Sequence, residues 1–145
     1  MKKYRRYYTT KQRSTFDCGI TCMLNVLRYH GKTVSRADFK GLLDDAKIVK
    51  GGASMWDLIK GIGEHGLEAQ GVVCDLAMLA QENVCPAIMV VEVAPRAFHY
   101  IVAMEVCKET IVVVDPSIWA ARVNTMPLHK FAKRYHWHGE AILIS

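Results

Sequence analysis

The apolar positions of this 145-residue chain change their spacing about halfway along. In the first half they recur every three or four residues, which is the period of a helix with one buried face. The clearest such segment follows Asp17, a favourable N-cap, and precedes Gly31, a favourable stop. We therefore predict a helix at Cys18–His30. Its buried side would be formed by Ile20, Met23, Leu24 and Leu27.

The helical spacing continues in two further segments. One helix is predicted to begin at Ser35 and to continue through an apolar pair seven residues on. Another is predicted after Ser54, because Ser54 followed by Asp57 has the pattern of a capping box, and it should end at Gly66. Gly51-Gly52 between the two helices is typical of a loop with positive φ.

The second half carries β-branched and apolar runs separated by turn residues, which is the pattern of strands. Short helices are predicted at Asp75–Gln81 and from Pro127 onward. Because the helices come first and an antiparallel sheet follows, we predict an α+β fold in one domain. The predicted strands are Leu67–Val73, Pro86–Val93, Phe98–Val106, Thr110–Val114, Ala121–Thr125 and Ala141–Ile144.

The composition is that of a globular domain, since 51% of the residues are hydrophobic and 23% are charged. No uncharged apolar stretch approaches the ~20 residues that a membrane helix needs. The basic start of the chain is not followed by the apolar segment of a secretory signal. We therefore expect a cytoplasmic location.

The formal net charge of +5 is concentrated in an N-terminal arm. Residues 1–13 carry six basic side chains and no acidic one, whereas the other 132 residues hold 13 basic and 14 acidic side chains, a net charge of −1. The arm is compatible with a solvated tail, or with contacts to RNA or to an anionic lipid surface. Since the rest of the chain has no basic excess, we expect no nucleic-acid partner and only peripheral membrane contact.

Five cysteines, an odd number at irregular spacing, favour reduced thiols over a disulfide framework. Cys18 and Cys22 are one helical turn apart, which is not the spacing of a zinc knuckle. His136 and His138 would share one face of a strand, so they suit either a chelating pair or two surface histidines beside Trp137. No neighbouring cysteine or acidic run completes a site, so we expect no metal.

Cys18 is the first candidate for chemistry, because it stands at the predicted start of a helix. Unpaired amides and the helix dipole favour an anion there, although the neighbouring charge of Asp17 opposes it. A thiol nucleophile also needs a base. Among six histidines, His99 alone lies inside an apolar strand, where it is either a satisfied core residue or a site residue. Asp115 ends the next apolar run, and Cys22 is expected to be a core residue.

The turn between these two strands decides whether His99 meets Asp115. A loop with an odd number of residues centred on Cys107 would place the two side chains opposite each other on one face. A two-residue turn at Lys108-Glu109 would change the register by an odd number and put them on opposite faces. If they meet, Asp115 orients His99 and His99 activates Cys18.

Gln12 is the last candidate. A cysteine acyl transfer needs a donor for the oxyanion of the tetrahedral intermediate, and a side-chain amide just upstream of the nucleophile supplies one beside the backbone amide of Cys18. The alternative is an ordinary surface glutamine in a loop.

The run from Gln12 to Cys22, QRSTFDCGITC, closely resembles the catalytic start of the C39 peptidases, the papain-like domains of bacteriocin-exporting ABC transporters. The resemblance spans nearly the whole chain, in the family's order. It continues at Arg28–Gly31, Gly52–Ser54, Gly66-Leu67, His99–Val102, Asp115-Pro116 and Trp137–Gly139.

The resemblance implies a single C39 peptidase domain at residues 14–145, preceded by the basic arm. Its members cut leader peptides from bacteriocin- or lanthipeptide-type precursors after a Gly-Gly or Gly-Ala pair, in step with export, and need no cofactor of their own. The resemblance also implies a cytoplasmic position at the membrane face. The expected partners are the transporter domains, and only those domains would use ATP. A module that binds leaders with little or no proteolysis is the alternative.

The resemblance also implies roles for particular residues. Cys18 would be the nucleophile, His99 the base and then the acid, and Asp115 the residue that orients His99, while Gln12 and the Cys18 amide would hold the oxyanion. The leader would dock as an amphipathic helix in a shallow apolar groove. Exposed apolar side chains around Met55, Trp56 or Met104 are expected to contribute to this groove.

Two positions depart from the family pattern. Thr21 stands where the family usually has alanine, and the segment after Asp115-Pro116 lacks the usual glycine. These changes are expected to alter the packing beneath the nucleophile and the rim beyond the triad. Neither removes a catalytic group.

Overall fold

The computed structural model describes residues 17–49, 52–117 and 123–145. Its helices are α1 (Cys18–Tyr29), a 3₁₀ helix (Arg36–Phe39), α2 (Lys40–Val49), α3 (Met55–Gly63), α4 (Leu76–Leu79) and α5 (Leu128–Arg134). Its strands are β1 (Ala69–Val73), β2 (Ala87–Ala94), β3 (Ala97–Val106), β4 (Thr110–Val114), β5 (Val123–Pro127) and β6 (His136–Ile144). No helix in these ranges is long and apolar enough to cross a membrane.

The six strands form one sheet in the order β1-β6-β2-β3-β4-β5, and every neighbouring pair is antiparallel. The predicted α+β class is therefore confirmed. The last strand of the chain lies between β1 and β2, so it joins the earliest strand to the rest of the sheet.

Each face of the sheet carries its own layer of helices. On one face α1 and α3 pack against apolar side chains of the central strands, including Ile88, Val102 and Val114. On the other face Leu79 of α4, Phe131 of α5 and the following Tyr135 cover Met89, Ile101 and Val113. Two buried layers thus enclose the central strands. The start of β3 and the end of β4 lie at the end of the sheet where α1 begins.

Local capping signals in the sequence predicted the starts of two helices correctly. Ser54 and Asp57 form the capping box of α3, and the side chain of Asp75 accepts a hydrogen bond from the Met78 amide at the start of α4, at 2.9 Å. The helix predicted from Ser35 begins instead with a 3₁₀ turn, which continues into α2. Asp17 occupies the N-cap position of α1, but its side chain makes no capping hydrogen bond.

Strand β6 begins five residues earlier than predicted, at His136 instead of Ala141. The outward-facing side chains of this added segment are polar, with His136, His138 and Glu140 all exposed, so it lacks an apolar run. Gly139 makes the segment possible, since it has a φ of +95° and a Cβ there would lie 2.6 Å from the carbonyl oxygen of Cys74. The expectation of two surface histidines is confirmed.

Candidate active site

Cys18 is the first residue of α1 and is partly exposed. The helix is held in place by a close contact at the next residue. A Cβ on Gly19 would lie 2.9 Å from Cδ2 of Tyr100, so the absence of a side chain lets α1 approach β3. The hydroxyl of Tyr100 in turn donates a hydrogen bond to the carbonyl oxygen of Ala53, at 2.9 Å. The position of Cys18 is thus fixed against the sheet and the loop before α3.

His99 and Asp115 meet, but not through the loop that would place them directly opposite each other. Cys107 and Thr110 close a two-residue turn, which by itself would put the two side chains on opposite faces. An irregularity between Ala103 and Glu105 shifts the register of β3 against β4 by one residue. This bulge returns the two side chains to the same face of the sheet, and Nε2 of His99 lies 2.7 Å from Oδ1 of Asp115.

The carboxylate of Asp115 is surrounded by further donors. The backbone amide and the hydroxyl of Ser117 donate to Oδ1, at 2.9 and 2.6 Å. The hydroxyl of Tyr135, which is 1% exposed, donates to Oδ2 at 2.5 Å. Burial alone would raise the pKa of Asp115, but hydrogen bonds from His99, Ser117 and Tyr135 hold it well below its usual value. Asp115 is therefore a fixed anion.

His99 is charged over most of the accessible pH range. Burial lowers the pKa of His99, but hydrogen bonds and charges from Asp115 and Cys18 outweigh it and raise the pKa to about 9. Since Nε2 faces Asp115, the other ring nitrogen, Nδ1, is left for the thiol of Cys18. The arrangement places an imidazolium between a carboxylate and a sulfur nucleophile, which suits acyl transfer.

The profile of the Peptidase C39 family matches residues 6–145. The chain belongs to the peptidase C39 family. A curated relative, the pediocin PA-1 transport/processing ATP-binding protein PedD of Pediococcus acidilactici, is 28% identical over 145 residues. The match covers 99% of this C39 domain but only 19% of PedD, so the chain spans about a fifth of that relative's length.

Solved structures share the fold of this C39 domain. The peptidase domain of Streptococcus ComA, described as a bi-functional ABC transporter involved in quorum sensing, superposes with a TM-score of 0.78 at 23% identity, covering 96% of this chain and 98% of that one. A double glycine motif protease from an AMS/PCAT transporter, in complex with the leader peptide, gives a TM-score of 0.68 at 19% identity, covering 93% and 87%.

The predicted site residues of the C39 domain fall into three groups. Cys18, His99 and Asp115 come together. Gln12 and the basic arm lie outside the described residues, as do Gly51 and the first two residues of the strand predicted at Ala121–Thr125. The third group is the expected groove. We predicted exposed side chains there at Met55, Trp56 and Met104, but the three differ in how much of the side chain is exposed.

Only one of those three apolar side chains offers a large surface. Trp56 is 70% exposed. Met55 is partly buried, and its Cε lies 3.4 Å from the Cβ position of Gly71 on β1. Met104 is 4% exposed and belongs to the core, so the expectation of an exposed side chain there is wrong. Met104 lies two residues after Val102 on β3, so it faces the same helical layer as that core side chain.

Two functional contacts of the site were missed from the sequence. Tyr135 lies 20 residues beyond Asp115, and no local pattern connects the two. Ser117 had a local signal, since a serine two residues after an aspartate commonly donates back to its carboxylate.

The described residues contain no group of three or more histidine, cysteine, aspartate or glutamate side chains placed to hold a metal ion. All five cysteines are free. Cys22 is fully buried, as predicted, and burial is the main cause of the raised pKa of its thiol. Cys18 is the cysteine that pairs with His99, the histidine that Asp115 holds.

Proposed function

We propose that this C39 domain is a cysteine endopeptidase that removes leader peptides from ribosomal precursors after a Gly-Gly or Gly-Ala pair, in step with export by an ABC transporter. The observation that carries the proposal is the contact of His99 with the buried Asp115 beside Cys18. PedD is a transport/processing ATP-binding protein, and the AMS/PCAT protease was solved in complex with a leader peptide, which supports a peptide substrate and a transporter setting.

In the first step, the sulfur of Cys18 attacks the carbonyl carbon of the second small residue of the pair. The carbon–sulfur bond forms and the carbonyl oxygen becomes an oxyanion. Collapse of this intermediate breaks the peptide carbon–nitrogen bond, and the imidazolium of His99 gives its proton to the leaving amine. Asp115 keeps the ring in the orientation that this transfer needs.

In the second step, water attacks the thioester and His99 takes the proton of that water. The leader leaves with a new carboxylate, and the thiolate of Cys18 is restored. The backbone amide of Cys18 and the side chain of Gln12 are proposed as the oxyanion donors, and a donor of this kind typically contributes ~2.7–4 kcal/mol.

The proposal includes a location and a docking mode. The domain works on the cytoplasmic side of the membrane, where ribosomal precursors are made. The leader docks as an amphipathic helix, whose apolar face Trp56 is placed to contact. The basic N-terminal arm is proposed to meet acidic leader residues or the anionic membrane surface.

Incubation with a leader–core peptide that contains Gly-Gly tests the activity. We expect one cut after the second glycine, complete loss with Cys18→Ala, and unchanged cleavage with Cys107→Ser, since Cys107 is an exposed cysteine in the turn at the other end of β3. Mass spectrometry of the products gives the position of the cut.

Two results would contradict the proposal. Cleavage that survives Cys18→Ala would remove the nucleophile assignment. Tight leader binding without any thiol-dependent cleavage would favour the docking module instead.

A further inference from the structure

The carboxylate of Asp17 lies one residue before the nucleophile and is nearly buried, with 5% of its side chain exposed. An N-cap aspartate usually turns back to its own helix, but this one makes no capping hydrogen bond. Its Oδ2 instead accepts a hydrogen bond from Nη1 of Arg36 at 2.8 Å. Arg36 opens the 3₁₀ helix, so a second element reaches across to the start of α1.

The same guanidinium nitrogen also contacts Thr21. Oγ1 of Thr21 accepts from Nη1 of Arg36 at 3.3 Å, and the Thr21 side chain is fully buried. The hydroxyl of Thr21 thus contributes to the arginine site. The guanidinium is therefore oriented by two acceptors on one helix turn, and 14% of its side chain is exposed.

An unbalanced carboxylate at this position would oppose the nucleophile. Negative charge close to a thiol disfavours the thiolate, and buried charges interact more strongly than exposed ones. The charge of Asp17 acts on a thiol within α1, since Asp17 is among the groups that raise the pKa of the buried Cys22, after burial, Cys18 and Asp115.

We propose that Arg36 is a positioning residue of the active site: it balances the charge of Asp17 beside Cys18 and so keeps this cysteine reactive toward the substrate carbonyl. This inference rests on the proposed function, because it assigns Arg36 a role through the nucleophile. Among the described residues, the ionisable groups around Cys18 include His99 and Tyr100 from β3, Asp115 after β4 and Cys22 within α1.

The test compares Arg36→Met with the double variant Arg36→Met/Asp17→Asn. The single variant leaves the carboxylate without this cation, so we expect iodoacetamide to alkylate Cys18 more slowly than in the wild type, with the pH profile displaced toward higher pH. The double variant removes the charge as well, so its pH profile should return toward that of the wild type. Peptide mapping restricts the readout to Cys18, because the other four cysteines are also free.

Lys40→Met is the matched control, because Lys40 pairs with Asp44 across an exposed surface of α2 at 2.7 Å. It should leave the alkylation profile unchanged. In leader cleavage, Arg36→Met should lower kcat roughly tenfold with little change in KM, while the double variant recovers most of the loss. If Arg36→Met does not fold, Arg36→Gln and Arg36→Gln/Asp17→Asn carry the same comparison.

A purely structural role would give a different pattern. If the single and double variants are equally impaired, Arg36 only ties the 3₁₀ helix to α1 and the proposal is wrong. An unchanged alkylation profile in the single variant would also overturn it. Alkylation does not require cleavage, so a protein that binds leaders without cutting them still tests Arg36, and the two failures remain distinguishable.

Discussion

At the scale of single residues, the chemistry of this C39 domain depends on how Asp115 is held. Four hydrogen bonds from three residues converge on one carboxylate, which is nearly buried. These bonds keep the group ionised where burial would otherwise favour its neutral form. An anion that is fixed in this way can hold an imidazole in one orientation and stabilise its positive charge.

Tyr135→Phe tests the contribution of the buried donor. The change removes one hydrogen bond to Oδ2 and leaves that oxygen buried, so we expect a loss of about 1.5–3 kcal/mol in the free energy of unfolding, as for a bond to a charged group. Urea denaturation measures it. Ser117→Ala should cost less, because Ser117 is exposed and its amide still donates to Oδ1. Equal losses would contradict this ranking.

The raised pKa of His99 predicts an alkaline limb in the activity. The imidazolium must donate to the leaving amine, so kcat/KM should fall as pH rises through about 9, the pKa of His99 in the folded protein. Asp115→Asn removes the largest of the favourable contributions to that pKa, so the limb should move to lower pH.

The same Asp115→Asn variant should lose turnover strongly with little change in leader affinity. A limb at unchanged pH in this variant would show that another group controls it. A pH profile of cleavage, recorded beside leader binding, measures both effects.

At the scale of elements, the site depends on the distance between α1 and β3. Gly19→Ala would place a Cβ 2.9 Å from the ring of Tyr100 and 3.2 Å from Leu58. Since the Tyr100 hydroxyl is tied to Ala53, the ring has little freedom to move away. We expect a loss of about 1–3 kcal/mol in stability and reduced turnover, because Cys18 moves relative to His99.

Gly41→Ala is the control for this change. Gly41 lies in α2 with no atom within 4 Å of its Cβ position, so alanine there should stabilise the helix by about 0.5–1 kcal/mol. Thermal unfolding and cleavage rates of both variants make the comparison. A stable and fully active Gly19→Ala protein would mean that the close approach is not required.

Local signals explain what the sequence could predict about the elements. The caps at Ser54 and Asp75 involve residues three apart. They form without any tertiary contact, so the local sequence is enough to predict them. The register of β3 against β4 was not predictable, because the bulge at Met104 changes it inside the strands and the turn residues do not reveal it. The Tyr135 donor was missed for a related reason, since it reaches Asp115 only once α5 covers the sheet.

At the scale of the whole molecule, Gly139 joins β6 to the segment that follows β1. Its carbonyl oxygen accepts a hydrogen bond from the Cys74 amide at 2.9 Å, and its backbone has a positive φ. Gly139→Ala would combine strain with a clash 2.6 Å from the Cys74 carbonyl oxygen, so we expect a loss of at least about 1–3 kcal/mol.

Gly31→Ala separates the two causes, because Gly31 has a φ of +82° but no atom within 4 Å of its Cβ position. Gly31→Ala should lose only the stability that the strained backbone costs, which is less than the loss in Gly139→Ala. Urea denaturation measures the free energy of unfolding of both variants. Equal losses would mean that the clash at Gly139 contributes nothing.

The position of β6 also sets the time at which the enzyme can form during synthesis. Strand β1 joins the sheet only through β6, and Tyr135 reaches Asp115 just before β6 begins. The ribosome therefore synthesises Cys18 more than a hundred residues before Tyr135, whose hydroxyl supports Asp115. A nascent chain therefore carries Cys18, the proposed nucleophile, without the finished site, which is complete only after β6 has been translated.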